Sequence, residues 1–234
     1  MNSKIISALL LAIGLLAMGL CIKSGLKSFS DRDRVVAVRG LSEREVEANK
    51  VTWPVVYKIV GNDLPEIYDR IEATNKTIVQ FLTDNGITAS EYNIDAPDVV
   101  DLKADRYNNQ SDIQFRYNVT SVITVTSSQV KLVRDLINRQ GELLKKGIAV
   151  IAGDYNYRTI YEYTDLNVIK PEMIADATKN AREAAEKFAE DSGSEVGGIQ
   201  SASQGQFSID DRDPYTPFIK KVRVVTYVNY YLAD

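Results

Sequence analysis

The sequence predicts an α+β fold: largely antiparallel sheets with three helices packed on them, preceded by an N-terminal membrane helix. Three observations lead there. The chain opens on an uncharged apolar run. Strand-like runs follow in pairs joined by polar loops. Amphipathic helical segments separate those pairs, which suits helices on one face of antiparallel sheets.

Ile5 to Ile22 (IISALLLAIGLLAMGLCI) carries no charge, with Lys4 before it and Lys23 after. As a helix it would measure about 27 Å, close to the hydrocarbon thickness of a bilayer. Ala17-Met18-Gly19 is a loose match to a cleavage site, and Cys21 follows the large Leu20 where a lipoprotein signal wants a small residue. An uncleaved anchor is the favoured reading; a cleaved signal peptide and a lipoprotein stay open. Basic residues flank both ends, so charge counting leaves the topology open. Lys23 to Asp33 is polar. The layout is 1–23 signal-anchor or signal peptide, 24–33 tether and 34–234 a folded domain.

Arg34 to Arg39 (RVVAVR) reads as a strand. Val51 to Val60 (VTWPVVYKIV) reads as another, with Pro54 implying an edge or a bulge because proline donates nothing to a ladder. Asp63 to Asn85 is a helix: Asn62 or Asp63 caps it, Pro65 suits its first turn, and Ile67, Ile71, Thr74, Ile78, Phe81 and Leu82 form one face. Ile87 to Lys103 returns extended, Asp101 to Ser111 makes a hairpin loop, and Asp112 to Thr126 is a long strand. Ser127 or Ser128 caps a second helix, Gln129 to Lys145, which buries Val130, Val133, Leu136, Ile137 and Leu144. Gly147 to Thr164 reads as a long strand. Pro171 opens a third helix running to Asp191, with Ile174, Ala177, Ala181, Ala184, Ala185 and Phe188 inward; so many alanines permit close packing. Glu195 to Ser208 and Phe218 to Leu232 read as strands around a turn-rich loop.

The composition excludes several chemistries. There is no histidine and one cysteine, Cys21, so Ser-His-Asp and Cys-His catalysis, His/Cys zinc sites and an intrachain disulfide are out. Without Lys4 and Lys23 the chain keeps 26 bases against 32 acids, a poor partner for nucleic acid. Ser24-x-x-Lys27 and Ser128-x-x-Lys131 match S-x-x-K, but the S-D-N and K-T-G companions are missing. Asp210, Asp211 and Asp213 lack EF-hand spacing. Glu43, Glu45 and Glu47 read as a polar rim. No Gly-rich phosphate loop is present. The expectation is no enzyme, no cofactor and no metal.

Tyrosine is the unusual residue, with 13 copies. Tyr155, Tyr157, Tyr161 and Tyr163 alternate along one expected strand; Tyr227 and Tyr231 share a face of the last, with Tyr230 turned away. The readings are cross-strand packing or a surface for self-association or a ligand, since tyrosine favours contacts with one end wet.

Val36-Ala37-Val38-Arg39-Gly40-Leu41-Ser42-Glu43 (V-x-V-x-G-x-x-E) resembles the opening of SIMPL-domain proteins. Phe81, Leu82, Gly86 and Ile87 fit the family's first helix end. Tyr117 to Thr126 fits its central strand, Gly147-Ile148 its second helix end and Ala177 to Ala189 its alanine-rich helix. The family includes a bacterial periplasmic oxidative-stress-defence protein. The resemblance, over about residues 35 to 232, implies an envelope protein that self-associates and has no catalytic residues to carry over. The resulting expectation is a non-enzymatic protein in the bacterial inner membrane, held through residues 5–22 by a single N-terminal pass. Its soluble domain lies in the periplasm as a homo-oligomer, with a role in stress protection and a protein partner or ligand unknown. Secretion to the periplasm after cleavage, and a ligand-binding envelope module with a tyrosine-lined groove, are the alternatives.

Overall fold

The structure, a computed structural model, describes residues 3–30, 34–104, 114–151 and 155–233; on the first helix it describes side chains at 11–23 and 25. Most of the expected hairpin loop, the start of the strand expected at Asp112, and Ala152 to Asp154 lie outside these residues. So do the side chains of Ile5 to Leu10, Ser24 and Lys27.

Helix α1 spans Ser3–Ser30. The expected membrane helix is corrected here: among the described residues no helix is long and apolar enough to cross a membrane. The placement in the inner membrane by a single N-terminal pass is therefore not supported. The helix count is also corrected. Among the described residues four helices rather than three follow α1: α2 (Leu64–Asp84), α3 (Val130–Arg139), α4 (Gly141–Lys145) and α5 (Leu166–Asp191).

The chain divides into two compact units. One comprises residues 1–44, 167–209 and 221–234, the other 45–166 and 210–220. In the first, strands β1 (Val35–Glu47), β10 (Ile219–Ala233) and β8 (Glu195–Gln204) lie in the order β1-β10-β8, and β9 (Ser208–Asp211) also pairs with β10. Along β10, Val222, Val224, Thr226, Val228 and Tyr230 alternate inward, as the pleat demands. Val38, Ala181, Ala185, Val228 and Tyr230 form the core cluster.

Helix α5 buries Met173, Ala177, Ala181, Ala185 and Ala189, a strict i,i+4 row. That narrow row corrects the expected stripe: Met173 replaces Ile174, and Phe188 is 61% exposed. Small side chains let the helix lie so close that little beside the row is covered. The helix also starts five residues before Pro171, which sits inside it and withholds one N–H from the ladder.

The second unit is built on β2 (Lys50–Gly61) and β5 (Tyr117–Ser127), antiparallel and paired without a break from Val51↔Ser127 to Gly61↔Tyr117. On the far side of β5 lie β3 (Tyr92–Ile94) and β4 (Asp98–Asp101). On the far side of β2 lie β6 (Val150–Ile151) and β7 (Ile160–Glu162). The long strand expected from Gly147 to Thr164 is thus two short strands, with a 3-10 turn at Tyr155–Tyr157. Ile67, Ile71, Ile78, Phe81 and Leu82 of α2 cover this sheet. Asp63 caps α2, its Oδ1 accepting from Glu66 N at 3.0 Å.

The second expected helix divides at Gln140. Gln140 N donates to Ile137 O and Leu143 N to Gln140 O, which tightens the turn and advances the phase. Leu143 therefore enters the core and Leu144 is left 56% exposed, reversing the expected burial of Leu144. The cap is corrected too. Gln129 holds the N-cap position without a side-chain bond, and Ser127 Oγ accepts from Gln129 N at 2.9 Å.

Candidate functional site

Pro54 sits in the middle of β2, and its role differs from the expectation. β2 is neither an edge strand nor bulged against β5. On its other side, among the described residues, β7 pairs with Lys50 to Thr52 and β6 with Val56 and Tyr57. On that side no described residue pairs with Pro54, which has no N–H to donate. A groove of about 740 Å³ opens there, lined among others by Trp53, Pro54, Tyr157, Arg158, Asp211 and Arg212.

Two of the loop acids, Asp211 and Asp213, are engaged. Asp211 pairs with Lys220. Asp213 accepts from the Thr216 hydroxyl and from Arg212 Nε at 3.0 Å. The Thr216 bond, then the guanidinium, hold the Asp213 carboxyl down at about 2. Arg212 also reaches Glu45 at 3.4 Å. The arrangement can clasp a loop.

The six tyrosines separate between the two units. In one, Tyr155 is 75% exposed, with the Arg158 guanidinium 4.0 Å from its ring centre. Tyr157 lines the groove. Tyr161 packs edge-on against Phe218 at 6.2 Å, and Arg134 covers the Phe218 ring at 3.3 Å. Tyr163 is half-buried. In the other unit, Tyr227 is exposed with Arg39 over its ring at 5.1 Å, Tyr231 is half-buried and Tyr230 is buried. Of the four tyrosines expected on one strand, Tyr155 and Tyr157 belong to the 3-10 turn and Tyr161 to β7. The arginine over Tyr227 was not foreseen, because Arg39 is remote from it in sequence.

The remaining candidates have ordinary partners. Lys131 of the S-x-x-K match pairs with Glu47 at 3.2 Å. Glu43 meets Lys221 at 2.9 Å and Arg223 at 3.4 Å. Among the described residues no group of three His, Cys, Asp or Glu could hold a metal.

Glu91 went unnoticed in the sequence. Its Oε1 accepts from Ser127 Oγ at 2.6 Å, and its Oε2 from Thr88 N at 2.9 Å and Thr88 Oγ1 at 2.8 Å. The Ser127 bond first, then Thr88 N–H, hold its carboxyl at about 2 against an ordinary 4.5. A depressed carboxylate adds stability fully above its unfolded value and loses it as pH falls through the folded value. Glu91→Gln should therefore lower the urea midpoint at about pH 6, and the gap to the parent should narrow as pH falls from about 5 towards 3. A gap constant over that range would contradict the clasp.

A family model matches residues 36–224, that of SIMPL, described as a protein of unknown function (DUF541). The chain belongs to the SIMPL family. No curated protein matches it. In this SIMPL domain the opening V-x-V-x-G run lies on β1, and Gly40 lies directly under Ala177 and Ala181 of α5. The two glycine–isoleucine pairs close helices. Gly86 and Gly147 have φ of 96° and 81°, and the following Ile87 and Ile148 donate N–H to Leu82 O and Leu143 O, each at 3.0 Å. Glycine reaches that left-handed turn without strain, and the isoleucine after it packs back into the core. These SIMPL motifs therefore serve closure and packing.

Proposed function

We propose that this SIMPL-domain protein works by self-assembly, without catalysis. The observation that carries the reading is the pairing of exposed tyrosines with arginines: Tyr155 under Arg158 and Tyr227 under Arg39. Aromatic residues and arginine are the types enriched at protein interfaces, and a ring already stacked under a guanidinium loses little freedom on contact. The chemistry supports it from the other side. The depressed carboxylates at Glu91, Asp101, Glu142, Glu172 and Asp213 each hold a nearby donor, so they act as fasteners. A part in stress protection, which the family resemblance suggests, would run through assembly or partners, since no cysteine follows Cys21 in the folded domain.

The test is the native mass of the full chain by light scattering across a hundredfold dilution. Mass above one chain that falls on dilution is expected. The groove at Pro54 favours a second reading, a ligand-binding module, because Trp53, Tyr157 and Arg158 converge there. A compound taking the groove would raise the unfolding midpoint, and Arg158→Ala would abolish the rise.

A further inference from the structure

Most described lysines and arginines of this chain meet a carboxylate or an aromatic ring, as Lys50 meets Glu162 and Arg134 meets Phe218. Lys58, Arg70 and Lys146 do not. Among the described residues none of the three forms an ion pair or lies over a ring. Lys146 acts on Glu142 from a distance, and Glu142 is already held by Arg139 at 2.8 Å. The three bases come from β2, α2 and the residue that ends α4. They nevertheless line one cleft of about 410 Å³ in the second unit, and no acid is among the described residues of that lining.

The sheet leaves room for this cleft. β6 pairs with β2 at Val56 and Tyr57, while β2 runs on to Gly61. Past Tyr57 no described strand covers that edge of β2; α2 and the turn after α4 supply the other walls. Arg70 is tied to β2, its Nη1 donating to Val60 O at 3.3 Å. That bond steadies the guanidinium and, among the described residues, leaves its other N–H groups uncommitted. Thr74 and Thr77 share the lining but donate their hydroxyl protons to Arg70 O and Ala73 O. Recognition therefore falls to the bases. Ile59 and Ile148, both buried, add apolar wall, and a cleft of one charge sign with apolar walls focuses its field on an occupant.

We propose that this cleft binds a small phosphate monoester, held by Lys58, Arg70 and Lys146. A guanidinium offers a phosphate two parallel N–H donors, and an ammonium offers a compact charge. Three bases with no acid among them suit an anion of more than one charge. A phosphate monoester carries about −1.5 to −2 at neutral pH, where a simple carboxylate carries one charge. The apolar wall leaves a place for the organic remainder. The cleft shares no lining residue with the groove at Pro54, and the inference stands whether or not the chain assembles.

The experiment is calorimetric titration of the full chain with glycerol 3-phosphate, in phosphate-free buffer at fixed ionic strength, with glycerol and acetate as comparisons. Saturable binding of glycerol 3-phosphate is expected, with none of glycerol and weaker binding of acetate. Lys58→Gln and Lys146→Gln should each weaken it by about fivefold or more. Both side chains are exposed, so the fold tolerates the exchange, and circular dichroism melting checks this. Lys76→Gln is the control: Lys76 is exposed and has no ion pair among the described residues, but it does not line the cleft. Its variant should bind as the parent does. A parent that shows no saturable binding up to millimolar glycerol 3-phosphate overturns the proposal. So do cleft variants that bind like the parent, and so does an equal loss in Lys76→Gln, which would report overall charge in place of a site.

Discussion

Gly40→Ala should destabilise the protein by about 3 kcal/mol, at the upper end of what overpacking costs, and lower the melting midpoint by roughly 10 °C. A Cβ there would lie 1.7 Å from Ala177 O, 2.5 Å from Ala181 N and 2.8 Å from Ala181 Cβ. Two of these are backbone atoms of a continuous helix, so no rotamer change relieves the clash. Helix α5 must lift off β1 and open the cluster of Val38, Ala181, Ala185, Val228 and Tyr230. Gly198→Ala is the control, because a Cβ at that site meets nothing within 4 Å; its change should stay within about 0.5 kcal/mol. Thermal melting followed by circular dichroism compares the two. Equal melting points would mean that α5 does not rest on Gly40.

Ile123→Ala should cost about 2–5 kcal/mol, the range for truncating a fully buried isoleucine. Ile123 is wholly buried on β5, paired with Val55 of β2, among the residues that α2 and α3 cover. The cavity would open between rigid strands that share eleven consecutive pairs, so collapse around it is limited. Trp53 is the sole tryptophan and is 3% exposed in the same cluster. Its fluorescence against urea reads this unit directly. Ile123→Val should lose only about 0.5–1.5 kcal/mol. A loss under about 1 kcal/mol for the alanine variant would contradict the packing described.

Legibility followed the range of the interactions. Helix α2 was readable almost whole, because its period, its Asp63 cap and its Asn85-Gly86 end are all local signals. The alanine row of α5 announced close packing, yet its partner, Gly40, lies over 130 positions away and only the fold joins them. Pro54 gave a true signal with the wrong consequence. It marks a residue that donates no ladder bond, yet β2 lies inside the sheet and pairs unbroken with β5 through it. Alternating tyrosines suggested one strand, but two of them stand in a 3-10 turn, where a short alternation looks the same. The apolar run at the N-terminus was plain in sequence, while the membrane crossing inferred from it was corrected. The groove and the arginine-covered rings depend mostly on contacts across the sheet, and composition alone carries no trace of them.

The most direct test of assembly is the mass of the intact 234-residue chain at increasing concentration. The account predicts a species at twice 26.1 kDa or a larger even multiple, dissociating on dilution. A constant 26.1 kDa over the whole range would contradict it.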